Sequence, residues 1–201
     1  MDSVQIKIVI SEIRETLVRT FNSIDAWFDK DESIRSYQSS HGGWTINQIL
    51  EHISSINHFL IVFITKGTNY SIHNVVRFNL EEKIRESDFN LHQLDEFGVH
   101  KFFHLSGQGK VQPNGEKDLT EVRELLKDQV RECLSNLDKL ANGEGVLASI
   151  QMTKYNLESL NVYEIIYFLA MHGKKHLCQM TTIEADYHKF YQKARIVVRK
   201  R

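Results

Sequence analysis

The sequence predicts an all-α protein, a four-helix bundle with a long crossover between its second and third helices. Apolar residues recur at spacings of three and four along four long segments, which is the period of a helix with one buried face. Each segment is roughly 20 residues or more, or about 30 Å at 1.5 Å per residue. The chain has a single proline, Pro113, so long unbroken helices are permitted.

The first two predicted helices occupy the N-terminal third of the chain. The first runs from about residue 3 to residue 30. The second begins at GGWTINQILEHI, where Thr45 and Gln48 have the spacing of a capping box, and Gly67 is its predicted stop. The inward stripes are Ile6, Ile10, Ile13, Leu17, Phe21, Ile24 and Phe28 in the first helix, and Ile49, His52, Ile56 and Phe59 or Leu60 in the second.

The third and fourth predicted helices also open on capping residues. Asp118 and Glu121 have capping-box spacing at the start of the third, and Asn161 and Glu164 open the fourth. The inward stripes are Val122, Leu126, Val130, Cys133, Leu137 and Leu140 in the third helix, and Ile165, Leu169, His172, His176 and Met180 in the fourth.

One domain is expected over residues 1–201, because its length and its 41% apolar content are those of an ordinary globular chain. Residues 68–117 form the crossover insertion, about 50 residues long, which lets helices two and three run parallel. Within it, NLEEKIRESDFNLHQLDEF has the pattern of one or two short helices. The link 141–160 has room for a short strand or turn.

Charge and composition exclude several partners and locations. A formal net charge of −1 gives no general reason to expect nucleic acid or an anionic membrane as partner. The N-terminus lacks a signal-peptide pattern and no apolar run approaches a membrane span, so we expect a cytoplasmic protein. Cys133 and Cys178 are predicted to be free, reduced and half-buried, the alternative being a reactive thiol.

The C-terminal stretch 189–201 holds six basic residues and is predicted to be a solvated basic tail. A contact with nucleic acid or acidic lipid is the alternative. Its ARIVV segment has two further alternatives, an added strand or a contact with a partner subunit.

Two histidine pairs have the i, i+4 spacing that places side chains on one helix face, namely His100/His104 and His172/His176. With ten histidines in the chain, such a pair can arise by chance, so the spacing alone is weak evidence. The surrounding sequence must therefore distinguish a functional pair from a chance one. The first pair lies in the crossover without a sustained helical pattern, which favours ordinary loop or short-helix histidines, the alternative being a part in a site. The second lies on the inward stripe of a long helix.

His52 occupies the same kind of inward position on the second helix, which makes three histidines directed toward one core. Each buried imidazole without a partner costs about 1–3 kcal/mol, and one shared divalent cation would compensate all three. The alternative is that each is a core residue bonded to a carbonyl or to water. Three nitrogen ligands without an obvious fourth describe an open site that suits Zn, Ni, Fe or Co.

Other residues near this pattern have predicted roles. Gln48 and Gln179 stand one turn from a histidine and could orient ligands or bound water, although exposure to solvent is an equal alternative. Lys174 and Lys175 are predicted to face outward. Gly173 indicates either a close approach of a neighbouring helix or simple tolerance.

The chain resembles the DinB-like family of four-helix-bundle proteins in three features, namely GGWTINQILEHI, the long crossover and MHGKKHLCQM. That family has Trp-Ser/Thr at the opening of helix two, a histidine there, and His-x-x-x-His-x-x-Gln on the last long helix. The resemblance implies a divalent metal held by His52, His172 and His176. It also implies that a homodimer is common among members.

The resemblance also implies a range of activities. Relatives include thiol S-transferases that use low-molecular-weight thiols, a thiol-dependent isomerase, and proteins described as metal-dependent hydrolases. We therefore expect a thiol S-transferase acting on small electrophiles in stress or detoxification. The alternatives are a metal-dependent hydrolase, a non-catalytic metal-binding module, and a plain helical scaffold with satisfied core histidines.

Overall fold

The computed structural model describes residues 1–39, 42–87, 89, 91, 94–96, 112–151 and 159–198, with side chains up to residue 192. Four long helices dominate these residues, which confirms the all-α fold class. They are α1 (Ser3–Asp25), α3 (Ile46–Asn74), α5 (Leu119–Lys139) and α6 (Val162–Val198).

Short elements connect the long helices. The described chain between them contains α2 (Glu32–Arg35), α4 (Leu80–Glu86), three 3-10 turns (Ala26–Asp29, Val75–Arg77 and Glu144–Leu147), β1 (Ile150–Gln151) and β2 (Ser159–Leu160). The two strands pair antiparallel, with Ile150 opposite Leu160. The predicted short helix in the crossover and the predicted short strand in the last link are thus both present.

The helix starts follow the predicted local chemistry. Thr45 Oγ1 accepts a hydrogen bond from the backbone N–H of Gln48 at 3.3 Å, and Gln48 Oε1 accepts from the backbone N–H of Thr45 at 2.9 Å. Asn161 and Glu164 make the same reciprocal pair at 3.1 and 2.9 Å. Each pair satisfies backbone donors that a helix start leaves unpaired, so these helices begin where the sequence predicts.

The predicted helix stop at Gly67 is wrong, because α3 continues to Asn74 and the crossover starts later than residue 68. Gly67 serves a packing contact instead. A Cβ at this position would lie 2.7 Å from Val162 Cγ2 at the start of α6. The glycine therefore permits α3 and α6 to approach closely.

The C-terminal stretch begins as a continuation of the last helix. The backbone of α6 is helical as far as Val198, so most of 189–201 continues the last helix. The alternative of an added strand in ARIVV is wrong for residues 194–198.

Cross-helix contacts define the directions of the long helices. Arg123 of α5 binds Asp25, while Arg14 binds Asp138, so α5 runs antiparallel to α1. Gly173 of α6 packs against Ile24 and Glu184 pairs with Lys30, so α6 runs parallel to α1.

The same reasoning places α3. Its start meets the middle of α6 at His52 and His176, whereas Gly67 meets Val162 at the start of α6. Hence α3 is antiparallel to α6, and it runs parallel to α5, as the long crossover predicts. The helices contact one another in a closed ring, α1 with α6, α6 with α3, α3 with α5, and α5 with α1.

The core within this ring is rich in isoleucine and leucine. Ile6, Ile13, Leu17, Ile46, Ile49, Ile53, Leu60 and Ile64 are fully buried. Cys133 and Cys178 are both free, as predicted. Neither is half-buried as predicted, because Cys133 is buried and Cys178 is exposed. Burial raises the pKa of the Cys133 thiol to about 12, which makes that thiol unreactive. Among the described residues no helix has the length and apolarity that a membrane span requires.

Candidate metal centre

Three buried histidines from two helices meet inside the ring. His52 lies in the second turn of α3, and His172 and His176 lie one turn apart on α6. Their exposed fractions are 9%, 6% and 5%. The antiparallel packing of α3 against α6 brings these residues together.

The side chains are close enough to share one ion. Each of the three residues offers a ligand atom that lies within 4.8 Å of the other two. The Nε2 atoms of His172 and His176 are 3.1 Å apart. The ring of His52 lies 5.3 Å from that of His172 and 4.9 Å from that of His176, measured between centroids.

Burial keeps the three imidazoles neutral. It lowers the pKa of His52 to about 4 and that of His176 to about 3, from the ordinary 6.5. It also holds the pKa of His172 well below 6.5, with further contributions from His176 and His52. The positive charge of Lys175 acts in the same direction on all three. At neutral pH each ring therefore has a lone pair on one nitrogen, as metal binding requires.

Gln179 orients one of the rings. Its Oε1 accepts a hydrogen bond from Nδ1 of His176 at 3.0 Å. Because an amide oxygen can only accept, Nδ1 carries the proton and Nε2 carries the lone pair. Nε2 is also the atom that faces His172. Gln179 thus lies where an orienting residue of a metal ligand would lie.

Gln48 is placed differently. Its oxygen accepts from the backbone of Thr45, and its amide nitrogen donates to the carbonyl of Pro113 at 3.3 Å. These hydrogen bonds start the helix and hold the returning crossover. They do not reach His52, so the described contacts of Gln48 give it no part in orienting a ligand.

Three further residues near the centre were not predicted. The ring of Trp44 lies 4.6 Å from that of His52, between centroids. Glu51 is buried and accepts a hydrogen bond from the backbone N–H of Gly115 at 2.9 Å. Lys175 is half-buried, so the predicted outward orientation is wrong for it, although Lys174 is exposed. In the sequence, the position of Lys175 between the two inward histidines was the one feature that could have indicated its partial burial.

The structure shows that Gly173 lies at a close approach of a neighbouring helix, which was one of its two interpretations. A Cβ there would lie 3.0 Å from Ile24 Cδ1 and 3.1 Å from Thr20 Cγ2. The glycine therefore allows α1 to approach the segment of α6 that carries the two histidines. His100 and His104 lie outside the described residues.

The residues present fit a divalent transition metal. Tetrahedral zinc with bonds of 2.0–2.1 Å holds its nitrogen ligands about 3.4 Å from one another, close to the separation of the two α6 Nε2 atoms. Among the described residues Nδ1 of His172 is buried and has no hydrogen-bond partner. A cation shared by the two α6 histidines would bind their facing Nε2 atoms, which gain little from each other when both rings are neutral, and it would not reach Nδ1 of His172.

The fold and the centre together define an all-helical protein with three buried histidines that could hold a metal ion. A family model described as the DinB superfamily matches residues 12–180. That range covers most of the chain, so this chain belongs to the DinB superfamily. No curated protein and no solved structure matches the chain.

Proposed function

We propose that this protein is a metal-dependent enzyme whose divalent transition metal is held by His52, His172 and His176. The observation that carries the proposal is the buried cluster of three neutral imidazoles, with ligand atoms within 4.8 Å of one another. Zn, Ni and Fe all suit nitrogen ligands of this kind.

The number of ligands favours catalysis. Structural zinc sites are normally closed by four protein ligands, whereas catalytic sites keep a position for water or substrate. Among the described residues no fourth histidine, cysteine or carboxylate joins the three. A bound ion would act as a Lewis acid, lowering the pKa of a thiol or water at the remaining position.

We propose that the reaction is the transfer of a low-molecular-weight thiol to a small electrophile, in stress or detoxification. A carbon–sulfur bond forms, the leaving group departs with its bonding electrons, and the thiol proton passes to solvent. The protein would contribute a dry site and a fixed histidine tautomer, through Gln179. Support comes from the neutral ligand set and from the thiol transferases of the family that the sequence resembles.

The test is elemental analysis of purified wild type beside His172→Ala. We expect about one transition-metal ion per wild-type chain and a large loss in the variant. The metallated protein is then screened for conjugation of small thiols to electrophiles, with esters as substrates for the hydrolase alternative. If wild-type protein carries no stoichiometric transition metal, and added Zn or Ni neither binds nor stabilises it, the proposal is rejected.

A second candidate function is a non-catalytic metal-binding module. The ligands come from both α3 and α6, so an ion would also brace these two helices. This alternative expects metal to raise the melting temperature while neither thiols nor esters turn over. The cytoplasmic location and the homodimer expected from the sequence remain predictions.

A further inference from the structure

The last part of α6 carries aromatic rings that pack only partly on the bundle. The ring of Tyr187 lies 5.4 Å from that of Tyr37, which follows α2, with nearly perpendicular planes. One turn further along α6, Phe190 and Tyr191 are 55% and 49% exposed. The rings form one patch, because Tyr191 is 4.5 Å from Tyr187 and 5.4 Å from Phe190. A contiguous exposed apolar patch indicates an interaction surface.

The helix that carries this patch has two distinct faces. Its backbone is helical as far as Val198, so the sequence after Tyr187 can be placed in the register of a helix. Apolar residues recur there at spacings of three and four and form one stripe, namely Tyr187, Phe190, Tyr191, Ala194, Val197 and Val198. The positions of Lys189, Lys193 and Arg195 fall outside that stripe, and Ile196 is the apolar exception among them.

Positive charge is concentrated at the same end of the chain. Residues 189–201 include six basic residues and no acidic one, whereas the whole chain has a formal net charge of −1. The acidic residue that comes before them, Asp186, accepts a hydrogen bond from Ser39 Oγ at 2.7 Å. Lys189 is exposed. The remainder of the chain is therefore net acidic, and this end differs from it in charge.

The separation of rings from cations favours one kind of partner. A helix with aromatic residues on one face and basic residues on the other lies in the plane of a membrane interface, where acidic headgroups attract the basic residues. Surfaces that bind single-stranded nucleic acid combine stacking rings and cations in one groove instead. In α6 the stripe and the basic positions occupy different faces, so an anionic lipid surface fits better.

We propose that residues 187–198 of α6 bind the surface of an anionic phospholipid membrane. The aromatic stripe lies at the level of the headgroups, and Lys189, Lys193 and Arg195 attract the acidic lipids. The contact is peripheral and reversible. It goes beyond the proposed function, because it needs neither the metal nor a reaction.

The experiment measures co-sedimentation of the full chain with lipid vesicles. One set of vesicles consists of phosphatidylcholine alone, and the other contains phosphatidylserine as well. We expect much tighter binding to the vesicles with phosphatidylserine, and a marked loss of binding at high salt, because salt screens attraction between exposed charges.

A charge variant tests the basic face. The triple variant Lys189→Gln, Lys193→Gln and Arg195→Gln should bind phosphatidylserine vesicles about 100-fold more weakly, since each basic residue near an anionic surface contributes roughly a factor of five. The matched control removes three exposed lysines from other helices and should bind as wild type does. It carries Lys7→Gln, Lys66→Gln and Lys139→Gln.

An aromatic variant tests the stripe. Phe190→Ser with Tyr191→Ser should weaken binding about tenfold, because the affinity of an interfacial helix increases with the apolar area that it buries. The matched control is Phe59→Ser with Tyr70→Ser, two exposed rings of α3. All four side chains are at least partly exposed, so each variant should fold, which melting temperatures check.

Three results would overturn the inference. These are no binding to either set of vesicles, equal binding to both sets, and equal losses in the α6 variants and their controls. Binding of a labelled single-stranded oligonucleotide without binding of vesicles would assign the surface to nucleic acid and also overturn it. Protein treated with a chelator should bind vesicles as well as untreated protein does, so failure of the metal centre leaves this inference standing.

Discussion

The imidazole rings of His52 and His176 lie 4.9 Å apart and nearly perpendicular, at an interplanar angle of 71°. The first belongs to α3 near the N-terminus and the second to α6, the last helix. Their contact exists because α3 and α6 run antiparallel with the start of one beside the middle of the other. The metal hypothesis depends on this relationship.

Replacing His52 by leucine separates the metal models from a plain helical scaffold. In wild type, metal at 100 times its dissociation constant should stabilise the fold by about 2.7 kcal/mol. His52→Leu should lose most of that gain, because one of three ligands is removed. Melting temperatures with and without Zn²⁺ measure it. His58→Gln, an exposed histidine on the same helix, is the control and should respond to Zn²⁺ as wild type does.

Stability without metal should fall as the solution becomes acidic. The folded pKa of His52 is about 4 and that of His176 about 3, both below the ordinary 6.5. Between these values and 6.5 the unfolded chain binds more protons, so stability is full above pH 6.5 and decreases toward pH 4.

Urea denaturation in the presence of a chelator, at several values between pH 4.5 and 7.5, checks this dependence. The total loss should be a few kcal/mol, at about 1.4 kcal/mol per pKa unit. His52→Leu should show a shallower dependence. A wild-type stability that stays constant over this range would contradict the neutral, buried state of the histidines.

The two glutamines should affect metal affinity unequally. Gln179→Ala removes the acceptor of the His176 Nδ1 proton and should weaken metal binding about 10–100-fold. Gln48→Ala removes a capping box and should cost about 1 kcal/mol of stability while leaving metal affinity near wild type. Competition with a chromophoric chelator measures affinity, and urea denaturation measures stability. Equal effects of the two variants on affinity would contradict these assignments.

Gly67→Ala should destabilise the protein although alanine favours helices. The new Cβ would lie 2.7 Å from Val162 Cγ2, and overpacking of this kind costs about 1–3 kcal/mol. A double-mutant cycle with Val162→Ala tests the contact, because the smaller side chain should absorb most of the cost of the alanine. Additive effects of the two substitutions would mean that the contact is not the cause.

Local features of the sequence were predicted well. The capping pairs Thr45/Gln48 and Asn161/Glu164 lie where expected, because a capping box depends only on residues within one turn. The predicted helix stop at Gly67 was wrong because the role of this glycine depends on a residue far away in the sequence. A glycine in a helical pattern has the same local signature whether it ends the helix or admits a neighbour, and only the position of Val162 distinguishes the two.

By itself the sequence determined the helix starts, the buried stripes and the inward positions of His52, His172 and His176, since these follow from periodicity and short-range hydrogen bonds. Tertiary structure alone decided which neighbours join them. Gln48 and Gln179 have similar spacing from a histidine, yet one bonds to Pro113 and the other to His176. Lys174 and Lys175 are adjacent, yet one is exposed and the other half-buried. The physical reason is that side-chain partners depend on the packing of α3 against α6, which no single helix encodes.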